Sequence, residues 1–246
     1  MNTYGIIGFP LTHSFSKQYF TKKFEKEGIT DVSFDEFPIS SINDFPGLLK
    51  TNHLLKGLSV TIPYKEQVLK YVTHLSAEVA KIGATNCIKV RHDQLTAYNT
   101  DIIGFEGSFV KNLRPGNKKA LVLGSGGSSK AIQYVLKKLG IDLLVVSRIK
   151  TSDGSNIQYD QITKEMMQEY SIIINCTPLG MSPGEDSFPP IPYSLLSSGH
   201  YLFDLVYEPR QTAFLEKGEK QGAVVKNGFE MLIIQAEANW KIWNEG

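Results

Sequence analysis

A run of glycines between an apolar strand and a helix restricts the fold of this chain more than any other feature. The segment ALVLGSGGSSKA places Gly124, Gly126 and Gly127 where a predicted strand ends and a predicted helix begins. Glycines let the backbone approach a pyrophosphate, and a helix N-terminus offers N–H groups to it. Ser129 holds the third glycine position of the G-x-G-x-x-G pattern, and glycine-rich turns also occur for steric reasons alone. The context predicts a dinucleotide-binding turn.

Near-continuous apolar segments alternate with helical segments around and after this turn. They lie at 120–124, 142–148, 171–181, 201–209 and 222–228. Strands without polar alternation are typical of a parallel sheet that helices cover on both faces. The second half of the chain therefore predicts a doubly wound parallel sheet.

The first hundred residues predict a separate α/β block. Strands are expected at 4–9, 32–39 and 55–62, helices at 16–28, 41–52 and 64–72, and a hairpin across 86–99 that turns at 92–94. A long apolar helix follows Gly228. We predict an α/β fold with domains 1–101 and 102–228 and a C-terminal helix, 229–246, that packs back onto the first domain.

Composition and charge narrow the possible partners. The 246 residues carry 26 basic and 25 acidic side chains, a net charge of +1. The chain therefore has no strong positive electrostatic field that would attract nucleic acid or an anionic membrane. The segment MNTYGIIGFPLTHS lacks a basic start and a long apolar run, and the sequence has no apolar run of about 18 residues, so we expect neither a signal peptide nor a transmembrane helix. Cys87 and Cys176 stand alone, and the histidines have no metal-ligand spacing. We predict a cytoplasmic monomer or homodimer that binds a small molecule and no metal.

The segment after the second strand of the later block bears on the choice of dinucleotide. An NAD-binding domain has an acidic residue about 20 residues after the glycines, where it binds the ribose 2′-hydroxyl. Here the segment VVSRIK places Ser147, Arg148 and Lys150 instead. The cations favour the 2′-phosphate of NADP; the alternative is an ordinary charged loop.

Polar residues cluster at strand ends and helix starts of the first block. Ser14 and Ser16 lie where a helix begins, a position that suits a carboxylate ligand. Asn86 starts a strand, and Asp101 starts a helix. Helix capping alone is the alternative for the serines and for Asp101.

Two further polar residues occupy unusual positions. Lys65 follows the strand GLSVTI and Pro63, and a lysine there is either solvated or a proton donor. Gln235 lies among apolar residues of the last helix, where an amide needs a partner or costs ~1–3 kcal/mol. A bound polyol or a backbone group would supply that partner.

Taken in order, these motifs resemble shikimate dehydrogenases along nearly the whole chain. The resemblance rests on nine segments: SFS at 14–16, SVTIPYK at 59–65, GATNC at 83–87, NTD at 99–101, GSGGS at 124–128, SRI at 147–149, NCTPLGM at 175–181, DLVY at 204–207 and GFEMLIIQ at 228–235. There are departures as well. Ser59 stands where the family has asparagine, Cys87 where it has threonine, and Ser147 where it has asparagine, while Ser128 and Ser129 replace alanines.

The resemblance implies an activity and a fold. The activity is the reversible, NADPH-dependent reduction of 3-dehydroshikimate to shikimate on the route to chorismate and the aromatic amino acids. The fold is an N-terminal α/β substrate domain, a Rossmann-like NADP domain and a helix that returns to the substrate domain. Two alternatives are a quinate/shikimate dehydrogenase of broader specificity and a non-catalytic NADP-binding regulator. The second would have no reason to keep both Lys65 and Asp101.

The resemblance also implies roles for individual residues. Lys65 and Asp101 form the acid/base pair. The implied substrate residues are Ser14, Ser16, Thr61, Asn86, Tyr207 and Gln235. The implied cofactor residues are Gly124, Ser125, Gly126, Gly127, Ser128, Ser147, Arg148, Lys150, Leu205 and Gly228.

Overall fold

The computed structural model describes residues 1–11, 15–92, 94–151 and 154–245. Within these ranges the strands are β1 (Asn2–Gly8), β2 (Val32–Pro38), β3 (Leu55–Val60), β4 (His74–Leu75), β5 (Cys87–Arg91), β6 (Gln94–Tyr98), β7 (Lys119–Leu123), β8 (Asp142–Val146), β9 (Asn156–Ile157), β10 (Ile172–Asn175), β11 (Tyr201–Asp204) and β12 (Val224–Lys226). The α-helices are α1 (Phe15–Glu27), α2 (Phe45–Thr51), α3 (Ala77–Ile82), α4 (Asp101–Phe109), α5 (Gly127–Lys138), α6 (Lys164–Glu169), α7 (Ala213–Lys220) and α8 (Phe229–Asn244). Short 3-10 helices occur at Ile42–Asp44, Gln67–Tyr71, Val110–Asn112, Tyr159–Gln161 and Tyr193–Leu195.

The chain divides into two compact units. One comprises Met1–Thr100 with Ala236–Gly246, and the other comprises Asp101–Gln235. The first unit holds a mixed sheet in the order β2-β1-β3-β5-β6-β4. The β1 strand pairs in parallel with β2 and β3, whereas β5 is antiparallel to β3 and β6. The β5–β6 hairpin was predicted from the sequence.

The two faces of strand β3 have different environments because successive side chains point to opposite sides of a sheet. Leu58 and Val60 are buried in one apolar cluster of the first unit. On the other face, Gly57 leaves room for the ring of Trp243, which a Cβ at residue 57 would overlap. Trp243 belongs to a second, aromatic-rich cluster. The C-terminal part of α8 therefore packs on β3 within this unit.

The second unit holds a fully parallel sheet in the order β12-β11-β10-β7-β8-β9. Apolar clusters lie on both faces, one around Phe105, Phe109 and Ile132 and the other around Met167 and Phe214. The predicted doubly wound parallel sheet is confirmed. Its glycine-rich turn lies between β7 and α5.

Some segments differ from the predicted secondary structure. The helix predicted at 64–72 is a single short 3-10 helix, Gln67–Tyr71, because residues 61–66 form a turn first. Helices α3, α6 and α7 were not predicted, although each begins after a serine or threonine whose hydroxyl accepts a backbone N–H. Among the described residues, no helix is both long and apolar enough to cross a membrane.

Candidate active site

Lys65 lies in a turn that the end of β3 and a neighbouring loop hold in place. The Thr61 N–H donates to the Ile7 carbonyl at 3.0 Å, and the Tyr64 N–H donates to the Thr61 carbonyl at 2.9 Å. The Thr85 N–H donates to the Lys65 carbonyl at 2.8 Å, which ties the lysine to the loop before β5. Lys65 itself is half-buried. The backbone of this lysine is thus fixed from two directions.

Asn86 lies beside this turn and is 3% exposed. Its Oδ1 accepts the Thr100 N–H at 2.7 Å, and its Nδ2 donates to Thr100 Oγ1 at 3.0 Å. The Val60 N–H donates to the Asn86 carbonyl at 2.8 Å. Lys65, Thr61 and Asn86 therefore belong to one corner of the first unit, where β3 ends and β5 begins.

The predicted serine pair is described only in part. Ser16 lies in the first turn of α1 and is buried, while Ser14 lies outside the described residues. The end of β1 is close to Thr61, because a Cβ on Gly8 would overlap the Thr61 methyl group. Gly8 thus allows β1 to approach the strand that carries Thr61.

In the second unit, Asp101 and Gln235 lie on two closely packed helices. Asp101 is the first residue of α4 and is 5% exposed. A Cβ on Gly104 would come within 2.5 Å of the Met231 carbonyl and 3.0 Å of Gln235 Cβ. Gly104 lies about one helical turn after Asp101. The missing side chain at residue 104 therefore lets the start of α4 approach the part of α8 that carries Gln235.

The glycine-rich turn fits a nucleotide pyrophosphate. Gly124 has φ +107, a conformation that L side chains rarely adopt, and a Cβ on Gly126 would meet no neighbour. Gly126 caps α5 without a side-chain hydrogen bond, and the first turn has no acidic residue. N–H groups at such an uncapped helix start are suited to an anion. Ser129 donates its hydroxyl to the Gly124 carbonyl at 2.7 Å, so this serine supports the turn.

Residues after β8 lie beside the same turn. Ser147 is buried, and its hydroxyl is 3.3 Å from that of Ser125. Arg148 and Lys150 are exposed. The Arg148 carbonyl accepts from the Gln158 side chain at 3.2 Å, which anchors the arginine backbone. An exposed arginine with an anchored backbone, followed by an exposed lysine, fits a phosphate on the ribose.

Leu205 and Gly228 are brought together at the ends of β11 and β12. A Cβ on Gly228 would overlap the Leu205 carbonyl, and the Gly228 N–H donates to the Val206 carbonyl at 3.1 Å. Tyr207 follows on this segment, where burial raises the pKa of its hydroxyl. Glycine at 228 is thus required by the close approach of two backbones.

Asp204 is a fully buried carboxyl group just before these residues. It accepts hydrogen bonds from Asn175 Nδ2 at 2.9 Å, the Val206 N–H at 3.0 Å and Thr212 Oγ1 at 2.6 Å. Burial nevertheless raises the pKa of Asp204 to about 7, because removal from water outweighs the three donors. The folded state therefore binds this proton more tightly than the unfolded chain.

This raised pKa predicts a pH-dependent stability. As pH rises from the ordinary value of 3.8 through about 7, the wild-type chain should lose unfolding free energy that Asp204→Asn does not lose. The loss amounts to about 1.4 kcal/mol for each unit of pKa difference. Urea unfolding at about pH 4.5 and about pH 8 checks this, with exposed Asp186→Asn as the control. An equal loss in wild type and Asp204→Asn would contradict it.

No cluster of three or more histidine, cysteine, aspartate or glutamate side chains that could hold a metal ion occurs in the described ranges. The first unit thus has Lys65 in a fixed turn beside the Asn86 amide. The second unit has the glycine-rich turn before α5 and the Asp101 carboxyl group at the start of α4.

Comparisons with known proteins bear on the family of this chain. The family model described as "Shikimate dehydrogenase substrate binding domain" matches residues 6–88. A Clostridium botulinum protein named shikimate dehydrogenase (NADP(+)) is 34% identical over 99% of this chain and 96% of its own length. The crystal structure of shikimate dehydrogenase 1 from Peptoclostridium difficile has a TM-score of 0.87 and 36% identity, covering 99% of this chain and 91% of that one. The Thermus thermophilus enzyme in complex with NADP(H) and shikimate has a TM-score of 0.86 and 26% identity, covering 99% and 94%. This chain therefore belongs to the shikimate dehydrogenase family.

Proposed function

We propose that the protein is an NADP-dependent shikimate dehydrogenase, which reversibly reduces 3-dehydroshikimate to shikimate on the route to aromatic amino acids. The observation that carries this proposal is that the motif residues form two coherent groups. Lys65, Thr61 and Asn86 share one corner of the first unit, and the glycine-rich turn and Arg148 share one edge of the second. The first group supplies polar contacts for a polyol, and the second suits a phosphorylated dinucleotide.

We assign proton transfer to Lys65 and Asp101. Reduction of a ketone leaves an oxygen that must gain a proton, and a lysine ammonium both polarises the carbonyl and supplies that proton. We assign to the carboxylate of Asp101 the role of holding the lysine in place for this transfer. The turn that fixes the Lys65 backbone supports this role because proton transfer depends on a fixed geometry.

The remaining polar residues of the motifs are assigned to the substrate. Its hydroxyl and carboxylate groups suit the hydroxyls of Ser14, Ser16, Thr61 and Tyr207 and the amides of Asn86 and Gln235. We propose that residues 1–101 with 229–246 bind the substrate and that residues 102–228 bind the cofactor. The first range contains the segment matched by the substrate-binding family model.

The cofactor residues follow from the turn after β7. The backbone of Gly124, Gly126 and Gly127, with the hydroxyls of Ser125 and Ser128, would hold the pyrophosphate. Ser147, Arg148 and Lys150 would hold the ribose phosphate, and Leu205 and Gly228 would contact the nicotinamide half. When bound, NADPH supplies the hydride.

The experiment that tests this function is NADPH oxidation by the purified protein with a small panel of keto acids that includes 3-dehydroshikimate and 3-dehydroquinate. We expect high kcat/KM for 3-dehydroshikimate alone. Comparable rates with 3-dehydroquinate would favour the broader quinate/shikimate activity. NADP binding without turnover of any panel member would favour a regulator.

A cytoplasmic location and a monomeric or homodimeric state stay predictions, and light scattering of the purified protein tests the oligomeric state.

Gln235→Ala should weaken shikimate binding more than it lowers Tm. Gln235 is half-buried on α8, and its Cβ packs at Gly104, so alanine keeps this contact and removes the amide with the methylene that carries it. We expect KM for shikimate to rise by roughly tenfold, the worth of one or two hydrogen bonds. Exposed Gln221→Ala is the matched control. A large fall in Tm with normal KM would show that the amide is structural.

A further inference from the structure

Asn239, which the sequence analysis did not single out, joins two elements of the first unit through its side-chain amide. It lies on α8 one helical turn after Gln235 and is 1% exposed. Its Nδ2 donates to Ser59 Oγ at 3.1 Å, and its Oδ1 accepts from Thr100 Oγ1 at 2.6 Å. Thr100 in turn is the residue that both accepts from and donates to Asn86.

The distances fix the direction of these hydrogen bonds. A separation of 2.6 Å is typical of O–H···O and short for N–H···O, whereas 3.1 Å is ordinary for N–H···O. The Thr100 hydroxyl therefore donates to Asn239 Oδ1 and accepts from Asn86 Nδ2. Because its single proton is used on Asn239, Thr100 presents a lone pair to Asn86. Together with the Thr100 N–H, which donates to Asn86 Oδ1 at 2.7 Å, this lone pair holds the Asn86 amide in one orientation.

The strand partner of Asn239 is a position where this chain departs from its family. Ser59 lies on the same face of β3 as Gly57, which contacts Trp243 one helical turn after Asn239. The family motif has asparagine at residue 59, and this chain has a shorter hydroxyl there. The space beyond Ser59 Oγ is taken by the amide of Asn239. In this chain the amide at this place therefore comes from helix α8, whereas the family motif has it on strand β3.

We propose that Asn239 is a positioning residue that orients Asn86 through Thr100 and supplies from α8 the amide that the family motif carries on β3. This inference rests on the proposed function, because it concerns how well Asn86 is held for shikimate. All four side chains are buried: Asn239, Thr100, Asn86 and Ser59. Removing the Asn239 amide releases the Thr100 proton, which can then turn to Asn86 Oδ1 at 3.2 Å, so the hydroxyl no longer has one fixed direction toward Asn86.

The test is steady-state kinetics of Asn239→Ala. We expect KM for shikimate to rise roughly tenfold while kcat changes less than about threefold, since a contact made equally in ground and transition states alters KM. Adding Ser59→Asn should return KM to near the wild-type value, because the alanine leaves room for an amide on β3. Asn239→Leu keeps the side-chain volume and should show the same KM if the alanine variant folds poorly.

Trp243→Phe is the matched control. Trp243 lies on the same helix face, is 4% exposed and donates Nε1–H to the Ile88 carbonyl at 3.1 Å. The Trp243→Phe variant should lower Tm, as Asn239→Ala does, but should leave KM for shikimate unchanged. An unchanged KM in folded Asn239→Ala or Asn239→Leu, or a rise that Ser59→Asn does not reverse, would overturn the inference. A wild-type protein inactive on shikimate would instead overturn the proposed function, and this inference with it.

Discussion

Lys65→Ala is expected to lower kcat for 3-dehydroshikimate reduction by about a hundred- to ten-thousandfold, the worth of a positioned proton donor. KM for 3-dehydroshikimate should change only a few-fold. The backbone of residue 65 is held by the Thr85 N–H, a contact that alanine keeps, so the turn should survive the substitution. The measurement is steady-state kinetics on purified variants, with circular dichroism to verify the fold.

Two further variants sharpen this result. Lys81→Ala removes an exposed lysine from α3 and should leave kcat unchanged. Asp101→Asn should cause a loss similar to that of Lys65→Ala, and the double variant should be little worse than either single one, because residues that act as a unit are not additive. A folded Lys65→Ala protein with near-normal kcat would return Lys65 to the class of solvated lysines.

Arg148→Ala should raise KM for NADP by roughly ten- to a hundredfold, because a hydrogen bond to a charged group is worth ~1.5–3 kcal/mol. KM for NAD, which lacks the 2′-phosphate, should stay nearly unchanged. The arginine is exposed after β8, and its backbone is anchored by Gln158. Cofactor preference, measured as the ratio of kcat/KM for the two cofactors, should therefore fall.

Exposed Arg114→Ala in the same unit is the control for a general loss of positive charge. It should leave the cofactor ratio as in wild type. Equal use of NADP and NAD by the wild-type protein would show that the cations after β8 do not select the phosphate.

The architecture could be read from sequence where local signals and apolar patterns agreed. The apolar strands of the second unit predicted a parallel sheet, and Gly28, with φ +63, ends α1 as its position suggested. The helix predicted across 64–72 was wrong in its extent, although the apolar spacing of this segment suits a helix. The Thr61 carbonyl accepts from the Tyr64 N–H, and the Thr85 N–H donates to the Lys65 carbonyl, so these residues form a turn instead. Short helix α3 was missed although Ser76 and Gly83 carry its start and end signals.

The parts of the site that could not be predicted depend on contacts between distant residues. Ser59 and Asn239 are 180 positions apart, and only the packing of α8 on β3 makes the serine a partner of that amide. Asp204 was visible within a family motif, but its raised pKa arises from burial in the folded chain, which outweighs the hydrogen bonds from Thr212, Val206 and Asn175. Sequence patterns give residue types and their spacing along the chain. Contacts between residues far apart in the sequence, and the burial that shifts a pKa, can be identified only from the folded structure.

The most direct single measurement is the initial rate at which the purified wild-type protein forms NADPH from NADP when shikimate is the only other reactant. We expect a rate that is proportional to protein concentration, saturates with shikimate and yields 3-dehydroshikimate as the chromatographically identified product. A folded protein that forms no NADPH from shikimate would contradict the central claim that this chain is a shikimate dehydrogenase.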